Sequence, residues 1–326
     1  MTYNVTCLDV YDPAVREVWN SMLPEGFKLT YAETYEDDEQ MRIAENADFI
    51  VTGRAPVKEK MLRSMKKVKL IQKFGIGYDK IDIETARKLN VPVAIAAGSN
   101  KIPVAELSVG LMIAVYRRIA YIDRQVRAGN WLKTHTAQRA RAYILYGKTI
   151  GIIGCGNTGK REAKLLTSFD ANVLYYDIVK LSPEMEKELN VKFTPFDELI
   201  KTSDIISLHV PLTPITKRFI NKEVFLKMKR SAILINTARG DVVNEEDLIW
   251  ALKEGVIAGA GLDVLDQEPP KPDNPLFQMD NVVNTPHVAG GTVDNVGNVV
   301  RHIFGNLKRI VANEPLPEQD VIVARK

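Results

Sequence analysis

The sequence predicts an α/β protein of two doubly wound, parallel-sheet domains. Three observations carry this. Over the first hundred residues, short apolar runs alternate with amphipathic helical patterns, as in a parallel sheet covered on both faces. Past residue 147 the alternation resumes with six more strand-like runs. The first of these runs straight into a glycine-rich turn and then a helical pattern.

Taken in order, "YNVTCLDV", "FKLTYAE", "ADFIVTG", "KLIQKFG" and "VPVAIAAG" read as short buried strands. "VKEKMLRSMKK" and "IETARKLN" read as amphipathic helices among them. A long helical pattern follows, "PVAELSVGLMIAVYRRIAYIDRQVRAG", with Pro103 suited to its first turn and Gly129 to its stop. "NWLKTHTAQRARAYILYG" breaks that periodicity and reads as a loop or arm. The later strands are "KTIGIIG", "NVLYYD", "DIISLHV", "SAILINTA", "VIAGAGLDV" and "NVVNTPH". A last helix near "VDNVGNVVRHIFGNLKRIVAN" leads to a polar tail. Its position lets the chain return to the first domain, making that domain discontinuous.

A chain of 326 residues has room for two domains of ordinary size. A net charge of +3, with no basic run of five, gives no reason to expect nucleic acid. No apolar stretch is long enough to span a bilayer. The opening residues lack a signal peptide's pattern. Cys7 and Cys155 lie far apart in sequence and suit a reducing cytosol better than a disulfide framework. The expected location is therefore cytoplasmic, and no metal site is expected.

"GIIGCGNTGKREAKLL" carries Gly154, Gly156 and Gly159 as G-x-G-x-x-G between a strand and a helix. Such glycines allow a tight turn, close backbone approach to a pyrophosphate and close helix–strand packing. Amides at Asn157, Thr158 and Gly159 would face the phosphates at the helix start. The next strand ends in Asp177, 18 residues after Gly159. An acid there accepts from ribose hydroxyls and repels the extra phosphate of NADP, so NAD is the expected cofactor. Without that context the motif would be an ordinary strand–helix turn. Cys155, inside the turn, reads as a small packed residue rather than a reactive thiol.

Further polar residues fall at the later strand ends. These are His209 with Val210 and Pro211, Thr237 with Ala238 and Arg239, Asp263, and His287. In open α/β sheets ligands sit beyond the carboxyl ends of the strands, so these segments converge by topology. His287, between Pro286 and "VAGG", stands out among four histidines. His135 reads as a solvated surface residue and His302 as structural. Glu268 precedes two prolines in "GLDVLDQEPP". Proline fixes its own φ and biases its predecessor toward extended backbone, so one carboxylate is held in place. A histidine with a fixed acidic partner is a proton donor whose cationic form is stabilised. Arg239 offers a planar, two-pronged cation for a carboxylate. The plainer alternatives are a surface ion pair for Arg239, a solvated acid for Glu268 and a cap for Asp263.

The motifs "KFGIGYDKID", "VAELSVG", "GIIGCGNTG", "HVPLTPITKRFI", "INTARGDVVNEEDL", "AGAGLDVLDQEPP" and "NTPHVAGG" together resemble the D-isomer specific 2-hydroxyacid dehydrogenases. The resemblance runs over nearly the whole chain. It implies a Rossmann NAD-binding domain inserted into a flavodoxin-like substrate domain. Residues 1–100 and 292–326 would form the substrate domain. Residues 101–291 would form the Rossmann domain, with a dimerisation arm near 120–147 and a homodimer as the assembly. It implies a catalytic set of Arg239, Glu268 and His287, with Glu268 held against the His287 imidazole. A small 2-oxo acid and NADH would bind between the domains. His209, Val210, Pro211, Thr216, Thr237, Ala238 and Gly290 would line the cofactor, and Asp263 would face the nicotinamide amide. Arg239, the backbone at Ile76 and Gly77, and Arg54 would hold the substrate.

Two departures qualify this. Phe74 and Lys80 stand where members more often have alanine and asparagine, and Phe74 is expected to narrow the pocket. Phosphoglycerate dehydrogenases tend to carry an arginine where Thr52 stands here. Arg54 is shifted by two and Lys73 could compensate, so phosphoglycerate dehydrogenase stands as the alternative. An alternative of another class is an NAD-sensing corepressor that binds partner peptides. No long disordered tail supports it, and an enzyme is expected.

Overall fold

The computed structural model describes residues 2–324. The chain opens with β1 (Tyr3–Cys7), α1 (Pro13–Ser21), β2 (Phe27–Tyr31), α2 (Asp37–Ala44), β3 (Phe49–Thr52), α3 (Glu59–Ser64), β4 (Leu70–Lys73), α4 (Ile83–Lys88) and β5 (Val93–Ala94). Three helices follow: α5 (Lys101–Tyr116), α6 (Ile119–Arg127) and α7 (Trp131–Gln138). Then come β6 (Thr149–Ile153), α8 (Asn157–Thr167), β7 (Asn172–Tyr176), α9 (Pro183–Leu189), β8 (Val191–Phe193), α10 (Phe196–Thr202) and β9 (Ile205–Leu208). The chain continues through α11 (Lys222–Lys227), β10 (Ile233–Asn236), α12 (Glu245–Lys253), β11 (Gly259–Leu262) and β12 (Val282–Asn284). It closes with α13 (Val293–Val311) and β13 (Val321–Val323). Two compact units result. One takes the residues up to Asn100 and those from Gly291 onward; the other is Lys101–Gly290.

In the first unit the sheet order is β13-β5-β4-β3-β1-β2. The parallel part, 2-1-3-4-5, is the flavodoxin-like order, whose switch point lies between β1 and β3. Apolar clusters cover both faces of this sheet. Local rules start the helices: Asp12 caps α1 by accepting from the Ala14 amide at 2.9 Å, and Pro13 takes the first turn. The C-terminal helix α13 returns to this unit because one of its faces is apolar. Val299, Val300, Ile303, Phe304 and Leu307 are buried on it. Phe304 meets the buried Trp19 of α1 edge-on, 5.3 Å between ring centres.

In the second unit seven parallel strands run β12-β11-β10-β9-β6-β7-β8. Strand order reverses between β6 and β9, which places a crevice beyond their carboxyl ends. α5 is apolar nearly all round, as befits a helix packed against α8, β10 and β11.

The structure corrects four expectations. The single long helix after Pro103 is two, α5 and α6, broken where Arg118 adopts a left-handed φ of 54°. The arm is not irregular, since α7 forms within it. β8 adds a seventh strand, three residues long with an exposed lysine, too short for its alternation to be legible. The tail contains β13, antiparallel to β5. Its Val-Ile-Val run pairs because Asp320 just before it is anchored. The Asp320 carboxylate is wholly buried and accepts from Ala97 N at 3.0 Å and Asn306 Nδ2 at 3.0 Å, and it meets His302 Nε2 at 2.6 Å.

Candidate active site

The glycine turn lies at the switch point of the second sheet. Gly154 has a φ of 93°, which disfavours any side chain, and a Cβ there would lie 2.8 Å from the His209 carbonyl carbon. The ends of β6 and β9 therefore touch through backbone. A Cβ on Gly159 would strike the Gly154 carbonyl oxygen, so helix α8 packs directly onto the turn. At Gly156 a Cβ would meet nothing within 4 Å. That open face, beside the Asn157–Gly159 helix start, is the cradle a pyrophosphate needs.

Asp177 stands just past β7 with its carboxylate against this turn. Its Oδ2 accepts from Cys155 N at 2.6 Å and its Oδ1 from Val179 N at 3.2 Å. Burial, and then the Asp177 charge, push the Cys155 thiol up to about 12, so it is not a thiolate nucleophile near neutral pH.

Several residues expected to line the cofactor turn their side chains into the protein. The His209 imidazole is only 3% exposed and lies 3.0 Å from the fully buried Glu162 carboxylate. Ser207 Oγ donates to Glu162 at 2.9 Å and lies 3.2 Å from the same ring. His209 thus offers the crevice its main chain, not its ring. Thr237 is also buried, its hydroxyl 2.8 Å from Ser108 on α5. Ala238 follows, its amide donating to Asn236 Oδ1 at 3.0 Å. Thr216 closes the Val210–Pro211 loop by donating to the Pro211 carbonyl at 2.6 Å. Gly290 ends the turn that carries His287. Glu162 escaped the sequence reading. The signal was present: it shares a helix face with Gly159, Ala163 and Leu166, where a carboxylate is out of place unless partnered.

Beyond the ends of β10, β11 and β12 the structure brings Arg239, Glu268 and His287 into one region. Glu268 Oε2 and His287 Nδ1 are 2.6 Å apart. Both side chains remain partly open, 29% and 39% exposed. Arg239 extends from the end of β10, and one guanidinium nitrogen donates to the Ala238 carbonyl at 2.7 Å. The next residue, Gly240, is pressed against the backbone of Leu265 and Asp266, with no room for a Cβ. The turn after Arg239 and the loop bearing Glu268 are therefore in backbone contact.

His287 has a left-handed φ of 55°. For a non-glycine residue this persists only where the surroundings impose it. Asp263 does so. Its carboxylate is 1% exposed and accepts from Thr285 Oγ1 at 2.6 Å, Val288 N at 2.9 Å and Ala289 N at 2.9 Å. The His287 amide donates to the Asp263 carbonyl at 2.8 Å. Both side-chain oxygens of Asp263 are thus turned into the His287 turn rather than presented to a nicotinamide amide.

The expected substrate residues Arg54, Ile76 and Gly77 belong to the first unit. The loop after β3 is gripped by the buried Asp9, which accepts from the amides of Gly53, of Arg54 at 2.6 Å and of Ala55 at 3.0 Å. Arg54 borders an open recess of about 460 Å³ that Lys58, Asp79, Lys80 and Asp82 also line. Thr52 is wholly buried and donates to the Ala55 carbonyl at 2.5 Å. Lys73 is 6% exposed, its ammonium on the Gly53 carbonyl. Ile76 is exposed. The half-buried Phe74 ring lies 6.1 Å from Tyr11 and 6.2 Å from Trp19, so part of its bulk is packed against the core.

The Asp263 cradle yields a prediction. Asp263→Ala leaves three donors of the His287 turn without their acceptor, each worth about 1–3 kcal/mol when buried. Urea unfolding should show a loss of about 3–5 kcal/mol, and Asp263→Asn, which keeps one accepting oxygen, a smaller loss. A loss below about 1 kcal/mol for Asp263→Ala would mean that the turn holds itself.

Comparison with known proteins agrees with this geometry. Residues 109–289 match the family model for the D-isomer specific 2-hydroxyacid dehydrogenase, NAD binding domain. The chain is 44% identical to a glyoxylate reductase of Thermofilum pendens over 250 residues, covering 77% of this chain and 74% of that protein. It is 36% identical over 304 residues to a D-3-phosphoglycerate dehydrogenase of Archaeoglobus fulgidus, covering 92% of this chain but 57% of that longer protein. An NAD-dependent formate dehydrogenase from Staphylococcus aureus, solved in complex with NAD, superposes with a TM-score of 0.87 at 27% identity, each chain fully covered. The glycine cradle with its strand-end acid, the strand-end residues around His287 and these likenesses converge: the chain belongs to the D-isomer specific 2-hydroxyacid dehydrogenases, which are NAD-dependent oxidoreductases.

Proposed function

We propose that this dehydrogenase reduces a small, unphosphorylated 2-oxo acid, such as glyoxylate or hydroxypyruvate, to the corresponding 2-hydroxy acid, reversibly. The observation that carries this reading is the 2.6 Å pair of His287 and Glu268 in the same region as Arg239. Bound NADH supplies the hydride. Gly154, Gly156 and the α8 start hold its pyrophosphate, and Asp177 accepts from its ribose hydroxyls. Arg239 binds the substrate carboxylate with its planar fork and polarises the keto oxygen. His287 holds the proton that the new alkoxide takes, and in the reverse direction it accepts that proton. Glu268 on Nδ1 orients the ring, so Nε2 is the nitrogen that works.

His287→Ala should lower kcat by roughly 10²–10⁴-fold while NADH affinity stays within about twofold. Stopped-flow reduction of glyoxylate and fluorescence titration of NADH measure the two. A variant retaining full turnover would remove His287 from the proton transfer.

The buried Thr52 and Lys73 support the unphosphorylated substrate, because neither can present a cation or donor to a phosphate. Phosphoglycerate dehydrogenase is the competing reading, in keeping with the Archaeoglobus relative. We expect kcat/KM for phosphohydroxypyruvate to stay below about ten times that for hydroxypyruvate, a gap of roughly 1.4 kcal/mol. A larger ratio means that the pocket recognises the phosphate, with Arg54 as the first residue to test.

We also propose a homodimer in the reducing cytosol. Cys7 and Cys155 are buried and form no disulfide. Within the arm, Trp131 and Leu132 are 65% and 78% exposed, and Ile144 and Tyr146 are 59% and 67% exposed. Apolar side chains clustered in one such segment suit an interface better than water. Sedimentation should give twice the 36.5 kDa chain mass, and Trp131→Glu with Leu132→Glu should give a folded monomer. A wild-type monomer at micromolar concentration would sink this assembly.

A further inference from the structure

We infer that Glu245, outside the catalytic set, is a positioning residue that holds Glu268, and through it His287, in working geometry. The inference rests on the acid–base reading of that pair.

Glu268 lies in irregular chain between β11 and β12, and its side chain is partly open to solvent. A carboxylate on such a loop can orient an imidazole only if the loop itself is fixed. Glu245, the first residue of α12, accepts at both ends of that loop. Its Oε2 takes the Asp266 amide at 3.1 Å and its Oε1 takes Asn274 Nδ2 at 2.8 Å. Asp266 stands two residues before Glu268 and Asn274 six after. Asn274 carries the grip onward, accepting from Leu276 N at 3.0 Å and donating its own amide to the Lys271 carbonyl at 3.1 Å. Inside the loop the Leu265 amide donates to Glu268 Oε1 at 3.3 Å, while the other Glu268 oxygen meets His287. The path from Glu245 to the imidazole is thus a short run of hydrogen bonds with one peptide between.

The chemistry requires a carboxylate. Two donors approach from two directions, and only a carboxylate presents two accepting oxygens at once. A glutamine has nearly the same shape but must turn its NH₂ toward one of the donors. The same stretch of chain also carries Arg239, whose successor Gly240 abuts Leu265. Glu245 therefore fixes the loop against the turn that holds the arginine.

The test is a double-mutant cycle on the full-length enzyme with NADH and glyoxylate. Glu245→Gln should lower kcat by about tenfold, the scale of a slight misplacement of a catalytic group. NADH affinity should stay within about twofold, because the cofactor turn is untouched. Asn274→Ala, which removes one of the two donors and spares Glu245, should lower kcat in the same direction. In a Glu268→Gln background, Glu245→Gln should change kcat by less than about twofold, since the group it positions is already gone. An equal tenfold loss in both backgrounds would assign Glu245 a general structural role and overturn the inference while leaving the acid–base pair intact. Unchanged kcat in Glu245→Gln alone would overturn it as well. Full activity of Glu268→Gln itself would defeat the reading of the pair, and this inference with it.

Discussion

The candidate active site depends on one buried carboxylate. Asp263, 1% exposed, accepts three hydrogen bonds from the turn at residues 285–289. A polar group so far from water is tolerated only when its hydrogen-bonding capacity is filled, and the turn supplies the donors. In return the turn is forced into a shape that leaves His287 at a positive φ. That same turn carries the imidazole that meets the Glu268 carboxylate at 2.6 Å. The strain is local and the compensation is local, an arrangement that recurs where a side chain must be aimed.

Around this point the parallel sheet does the gathering. Arg239, Asp263 and His287 follow three neighbouring strands, β10, β11 and β12, whose register is continuous. Parallel strands send all their carboxyl ends to one edge, so residues 48 positions apart in sequence come to the same edge of the sheet. Contacts too close for a side chain then lock the loops. Gly154 lies on the backbone of His209, and Gly240 on that of Leu265. Glycine at these positions is a packing requirement, since any Cβ would push the segments apart.

Buried polar clusters perform similar work in each unit. Glu162 joins α8 to the end of β9 through Ser207 and His209. Asp9 fixes the loop after β3 by its amides, and Asp320 ties the C-terminal tail to Ala97 and to α13. Each places an acid where several donors converge, which favours one arrangement of segments over its near alternatives.

Much of this was legible in the sequence because its causes are local. Strand–helix alternation, the glycine turn and the acid at the end of the next strand each follow from backbone geometry and spacing. The proline-flanked Glu268 and the strand-end His287 could be read as partners before any coordinates, and their 2.6 Å contact is a tertiary fact. What the sequence left open was direction. It placed His209, Thr237 and Asp263 at the crevice, but not that their side chains turn inward to Glu162, Ser108 and the His287 turn. It marked Phe74 as bulky, but not that Tyr11 and Trp19 receive it. Short strands such as β8 and β13 carry too few residues for a period of two to show. The type and order of the main elements were determined by the sequence alone, since these depend on neighbours a few residues away. Where each polar side chain points was decided only by the tertiary structure, because that depends on which distant donor or acceptor the folded chain brings beside it.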